Sequence, residues 1–244
     1  MPMRLLSLLA FCLTIATASG VDFTKAIPAN CGQLLLVSAP DWSSTTGTLR
    51  RYERADVHAP WQTVGAPVEV LLGKHGLAWG LGLHARVANS APLKIEGDLR
   101  APAGVFALGT AFGRASREEM RWLRFPYLQL TAATEAIDDP ASRYYNRIID
   151  RTQIARPDWQ SSEHMGSISV YELGIEISHN PEHIVRAGSC IFIHLWPDAK
   201  SGTAGCTALH RADLMELLRW IDSKKHPVLV QLPQKFVHEG LDGF

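Results

Sequence analysis

The chain carries no run of like charge. Its 24 Lys and Arg residues balance 24 Asp and Glu residues, and it lacks the basic stripe that a nucleic-acid-binding surface needs. Long apolar runs are missing too. Leu5 to Ile15 falls short of the ~20 residues that span a bilayer, and no later segment is long and apolar enough. Ten histidines are present, yet none has H-E-x-x-H or Cys/His ligand spacing. His179 and His183 straddle Pro181, which breaks the helix that would present both. No metal is therefore expected. Long helical periods are few, which excludes a Rossmann-like βαβ alternation. No Pro/Ser-rich linker or internal repeat divides the chain.

A hydrophobic content of 46% with 20% charged residues suits a soluble globular protein with a real core. Met1-Pro-Met-Arg4, the apolar run behind it and Ala16-Thr-Ala18 read as a leader. A signal peptide over 1–20 is expected, with export of a mature chain that has no membrane span. Cys12 would leave with that leader, so Cys31, Cys190 and Cys206 remain. An odd count in an oxidising compartment suggests one pair and one free thiol. Cys31 and Cys190 lie in strand-like segments and Cys206 in a loop of small residues. A Cys31–Cys190 disulfide is expected, with Cys206 free.

Short apolar or alternating runs separated by Gly, Pro, Asn and Asp predict strands at 33–38, 48–53, 68–72, 104–108, 128–131, 168–177, 189–195 and 228–232. Helical spacing of Ala212, Met215 and Leu218 predicts one good helix over 211–223. Ser116 with Glu119 suggests a capping box that opens a second, shorter one. The stretch 132–160 reads as irregular. The fold class is mainly β, one β-sandwich or barrel-like domain over 21–233 with a few short helices, then a loose tail over 234–244.

Within 189–195, alternation puts Ser189, Ile191, Ile193 and Leu195 on one face and Cys190, Phe192 and His194 on the other. Extended geometry separates Cys190 from His194 by about 13 Å, far beyond the ~3 Å of a nucleophile–base hydrogen bond. Cys206, brought back by a loop of eleven intervening residues, can return to His194. Taken singly, His194 reads as a satisfied strand-end histidine and Cys206 as an inert buried thiol. Together, with Gly205 before the cysteine, they read as a cysteine acyl-transfer site. His194 would take the proton of the Cys206 thiol, whose pKa is expected to be depressed and whose alkylation quick, and Cys206 would then form a thioester. Backbone groups of Gly205, Thr207 and Leu195 would support the oxyanion and the site. The Leu195 carbonyl or the hydroxyl of Ser201 or Thr203 would orient the imidazole. Asn146, Lys94 and Asp98 are further candidates for substrate contact, with a solvated turn as the plain alternative for the last two.

The His194…Ser-Gly-Thr-Ala-Gly-Cys206 arrangement resembles the signature of the YkuD-type L,D-transpeptidase catalytic domain. Lys94-Ile-Glu-Gly-Asp98 with Ala101-Pro-Ala-Gly-Val-Phe106 is similar to that family's entry segment, and the resemblance extends from about Gly73 to Pro233. Asp138-Asp-Pro, Tyr145-Asn146 and Ser162-Glu-His164 resemble stretches of a less-studied branch. The better-characterised branch has a glycine after the histidine and an arginine two places after the cysteine; here stand Leu195 and Ala208, with Thr207 between. The resemblance implies a monomeric, exported periplasmic or cell-wall enzyme. Cys206 would attack peptidoglycan stem peptides and pass the acyl group to an amine or to water, with neither a metal nor an organic cofactor called for. An L,D-carboxypeptidase or amidase on the same scaffold, or a non-catalytic wall-binding protein, remain the alternatives.

Overall fold

The leucine- and valine-rich runs bury themselves by pairing into one large sheet. A computed structural model describes residues 23–87, 92–196 and 202–240; the expected leader and Ser201 lie outside them. The strands are β1 (Gln33–Ala39), β2 (Thr46–Glu53), β3 (Gln62–Leu71), β4 (Leu77–Trp79), β5 (Ala101–Gly113), β6 (Tyr127–Gln129), β7 (Thr134–Ile137), β8 (Arg147–Asp150), β9 (Glu163–His164), β10 (Leu173–Ile177), β11 (Phe192–Leu195), β12 (Thr207–Leu209) and β13 (Val228–Pro233). Two α-helices, α1 (Arg211–Trp220) and α2 (Gln234–Gly240), and four short 3-10 turns complete the regular elements among the described residues. No helix among the described residues is long and apolar enough to cross a membrane.

The order β10-β11-β12-β3-β2-β1-β13-β5 closes on itself, because β5 pairs with β13 through its first half and with β10 through its second. Closure leaves the ring without a free edge, and the mainly β, barrel-like architecture follows. β1 lies between β2 and β13 and is buried along nearly its whole length, as a strand covered on both faces must be. Leu34–Val37, Val105, Phe106, Ile175, Leu229 and Leu217 meet in the principal core.

Several expectations change. The residues at 132–160 are not irregular: β7 and β8 form a hairpin, and β9 pairs on the other side of β7. Strands this short carry too few residues to display an alternation. The Ser116–Glu119 capping box does close, with reciprocal bonds of 2.8 and 3.2 Å, but around a turn. The chain must come back at once to lay Tyr127 beside Ala111. The face of α1 is rotated: Leu214, Leu217 and Leu218 are buried and Ala212 is exposed, since leucine removes more apolar area from water than alanine. The segment after Pro233 is no loose tail. It forms α2, whose Phe236 ring meets Trp79, Trp42 and Phe23 at 5.3, 5.7 and 6.3 Å. The Cys31–Cys190 disulfide is absent and all three described cysteines are free thiols. Cys31 is buried in the principal core, its thiol donating to the Gln33 carbonyl, while Cys190 belongs to a second cluster.

Candidate active site

His194 lies in β11, and Cys206 directly precedes β12. The two strands run parallel, with Ile193 opposite Thr207 and His194 opposite Ala208. That register puts Cys206 opposite Phe192, on the face shared with His194. Two residues along the strand and one strand across make the backbones of 194 and 206 diagonal neighbours, about 8 Å apart. Imidazole and thiol can span such a gap. Both open into one cleft of about 470 Å³, whose walls also include Lys94, Glu96, Glu163 and Tyr171.

The Nδ1–H of His194 donates to the Leu195 carbonyl at 2.8 Å. Of the groups weighed as orienters, this carbonyl makes the contact, and it leaves Nε2 as the basic atom. Tyr171 holds the ring from the side, edge-on at 5.5 Å. The thiol of Cys206 donates to the Cys190 carbonyl at 3.6 Å, and the Phe192 amide donates to the sulfur at 3.3 Å. Cys190 is therefore a neighbour of the nucleophile position. It sits at φ +54°, not in an extended strand, because the Asn146 side chain takes its amide at 2.9 Å. The strand accordingly begins at Phe192 and not at Ser189.

Burial dominates the electrostatics. It holds the imidazole of His194 down to about 4. It pushes the Cys206 thiol up to about 12, with the charge of Glu163 adding to the rise and the Phe192 amide and Lys94 opposing it. The acidic, quickly alkylated thiol expected from the sequence is not the resting state, since a water-poor wall penalises the thiolate. Thiol and imidazole are both neutral at physiological pH.

The loop before Cys206 is pinned to the turn after β3. Thr203 receives and gives backbone bonds there: its amide donates to Leu72 at 2.7 Å and its carbonyl accepts from Lys74 at 2.9 Å. Gly202 permits the approach, for a Cβ there would stand 2.6 Å from the Lys74 nitrogen. The Thr203 hydroxyl donates to the Cys206 carbonyl at 2.6 Å and accepts from the Gly205 amide at 3.1 Å. Thr203 is thus a staple of the nucleophile turn rather than a partner of the imidazole. Gly205, at φ +152°, has its amide committed inside that turn and does not offer it to an oxyanion.

A model of the YkuD L,D-transpeptidase catalytic domain family matches residues 83–230, well over half of the chain. The chain belongs to that family. No curated protein and no solved structure matches it.

Within this YkuD domain, the remaining predicted residues divide. Thr207 turns to the opposite face, where its hydroxyl donates to Gln231 at 2.8 Å in a fully buried contact, so its side chain is not part of the cleft. Asn146, at φ +60°, is a bracket and not a cleft residue: its Nδ2 donates to the carbonyls of His179 and Asn180, both at 3.0 Å. Lys94 does reach the site. Its side chain is 3% exposed, pairs with Asp98 at 2.5 Å, and lies 3.7 Å from where a Cβ of Gly205 would be. Asp98 serves it indirectly, closing the loop through the amides of Ile95 and Arg100. Ala208, where the better-characterised branch carries arginine, is fully buried between His194 and Leu71. The sequence reading missed Glu163 and Tyr171 as cleft residues. Glu163 left a trace only in the Ser162-Glu-His164 stretch, which names a motif and no geometry, and Tyr171 left none.

Proposed function

We propose that the chain is an exported cysteine acyltransferase of peptidoglycan stem peptides, an L,D-transpeptidase that works through a thioester on Cys206. One observation carries the reading: a neutral imidazole and a thiol stand as diagonal neighbours on one face of two parallel strands and share one cleft. The Cys206 sulfur attacks the carbonyl between the stem's diamino acid and its terminal D-alanine, and its proton passes to Nε2 of His194. Collapse of the tetrahedral intermediate breaks the C–N bond, and the imidazolium returns the proton to the departing D-alanine amine. An amine of a second stem then attacks the thioester and releases the thiol.

Burial keeps the resting thiol protonated and the resting imidazole neutral, so the site does not rest as a thiolate–imidazolium pair. Proton transfer accompanies C–S bond formation, after the sulfur turns from Cys190 toward the ring. The catalytic hydrogen bond tightens when substrate arrives. With the Gly205 amide engaged, we assign oxyanion support to the Cys206 amide and to the fixed charge of Lys94. Lys74 lines the cleft as well and takes the substrate carboxylate in place of the missing arginine.

Intact-mass analysis of the full chain after incubation with a stem tetrapeptide tests this reading. An acyl adduct on Cys206 is expected, followed by cross-linked dimers when amine-bearing stems are supplied. Trimmed monomers alone would assign the carboxypeptidase activity instead, and no adduct at all would leave only a wall-binding protein.

A further inference from the structure

Two residues from different elements converge on the imidazole without belonging to the pair itself. Glu163 stands in β9, the edge of the small sheet, held by pairing with Ala136. Tyr171 stands in the 3-10 turn Ser169–Glu172 ahead of β10. The Tyr171 hydroxyl donates to the Glu163 carboxylate at 2.6 Å. Its ring is packed edge-on against Phe112, Phe192 and His194 at 5.9, 5.4 and 5.5 Å. A phenol buried among phenylalanines needs a partner for its hydroxyl, and Glu163 supplies it. The bond therefore fixes the position of a ring that in turn limits where the imidazole sits.

We propose that Glu163 is a positioning residue for acyl transfer at Cys206: through the Tyr171 hydroxyl it holds the ring that orients His194, and its carboxylate sets the charge beside the thiol. The proposal rests on the acyl-transfer reading above. The charged and titratable groups around Glu163 are Asp138, Glu96, Tyr171, Cys190 and Cys206. Glu96 is already engaged by the hydroxyls of Tyr145 and Ser189, and Asp138 by that of Ser161. Glu163 alone of the three carboxylates is bonded to a residue touching the imidazole. Burial and the neighbouring carboxylates hold its proton more firmly than usual, while its negative charge makes the thiol harder to ionise. The residue thus has two opposed effects. It supports turnover through geometry and restrains the empty thiol through charge.

Full-length Glu163→Gln, Glu163→Ala and Tyr171→Phe chains separate the two. Glutamine keeps size and an acceptor for the Tyr171 hydroxyl but removes the charge. Iodoacetamide labelling of Cys206 in Glu163→Gln should be at least about threefold faster at pH 8, with the midpoint of its pH profile moved down. Acylation by the tetrapeptide should stay within about threefold of the parent chain. In Glu163→Ala and Tyr171→Phe acylation should fall about tenfold, and the double variant should fall no further than the worse single one, as for residues acting in series. Cys31, in the principal core, should remain unlabelled throughout, and peptide mapping should assign the label to Cys206. An unmoved labelling profile in Glu163→Gln or parent-like acylation in Glu163→Ala would overturn the proposal. Should the parent chain form no adduct, the acyl-transfer reading fails, whereas the labelling profile still reads the charge.

Discussion

The two sides of the segment 190–195, which ends in β11, look into different interiors. Ile191, Ile193 and Leu195 enter a large aliphatic core shared with β1, β5, β10, β13 and α1. Cys190 and Phe192 enter a small cluster of aromatic and sulfur-bearing residues, with Phe112, Met165, Tyr171 and Cys206. In the large interior many contacts share the burden, so one loss is read as stability. In the small one each polar group has a named partner: the imidazole has the Leu195 carbonyl, the phenol has Glu163, and the thiol has the Cys190 carbonyl. A single loss there should be read as chemistry.

The sharpest way to break this contrast is Cys206→Ser, which nearly conserves size. Adduct formation and turnover should vanish while the melting temperature moves by only a few degrees; residual product from the serine chain would remove the nucleophile from the small interior. His194→Gln should lower acylation about 10²–10⁴-fold, the range for loss of a general base. Asn146→Ala should cross the boundary. It forfeits three hydrogen bonds and puts alanine at φ +60°, so denaturant titration should show a loss of several kcal/mol. It should also slow acylation, because the Cys190 carbonyl that receives the thiol shifts. Leu35→Ala, in the fully buried centre of β1, should cost about 2–5 kcal/mol yet leave acylation per folded molecule unchanged.

The smallest effect is a titration. His194 and His179 are each held by burial near 4 against an ordinary value of 6.5. Their neutral forms belong to the folded chain, so the stability linked to them is complete above pH 6.5 and is lost as pH falls toward 4. Each contributes about 3 kcal/mol at most. Thermal unfolding across that window should show the decline, and His194→Gln should reduce its slope. A slope unchanged by that substitution would mean that the imidazole is not buried neutral.

Much of the scaffold could be read in advance because its signals are local. The run at 33–38 became β1, 228–232 became β13, and the face division held from 190 to 195, while Ser189 left the strand for the cleft, where its hydroxyl donates to Glu96. What escaped was short or non-local. β7, β8 and β9 are too brief to show a period, yet they form the wall that delivers Glu163. The buried face of α1 depended on which side met the sheet. The disulfide failed for the same reason: cysteine spacing does not tell which of two interiors each thiol enters.

The amino-acid order alone determined that strands dominate and that a histidine ending one of them is followed by a Gly-Cys pair on a short return loop. Only the tertiary structure decided that these two side chains share a face, that Glu163, Tyr171 and Lys94 gather around them, and that the thiol rests protonated. Side-chain alternation and turn chemistry act over a few neighbouring residues. Desolvation and charge proximity depend on what packs against a group from distant parts of the chain, and they exist only once the barrel has closed.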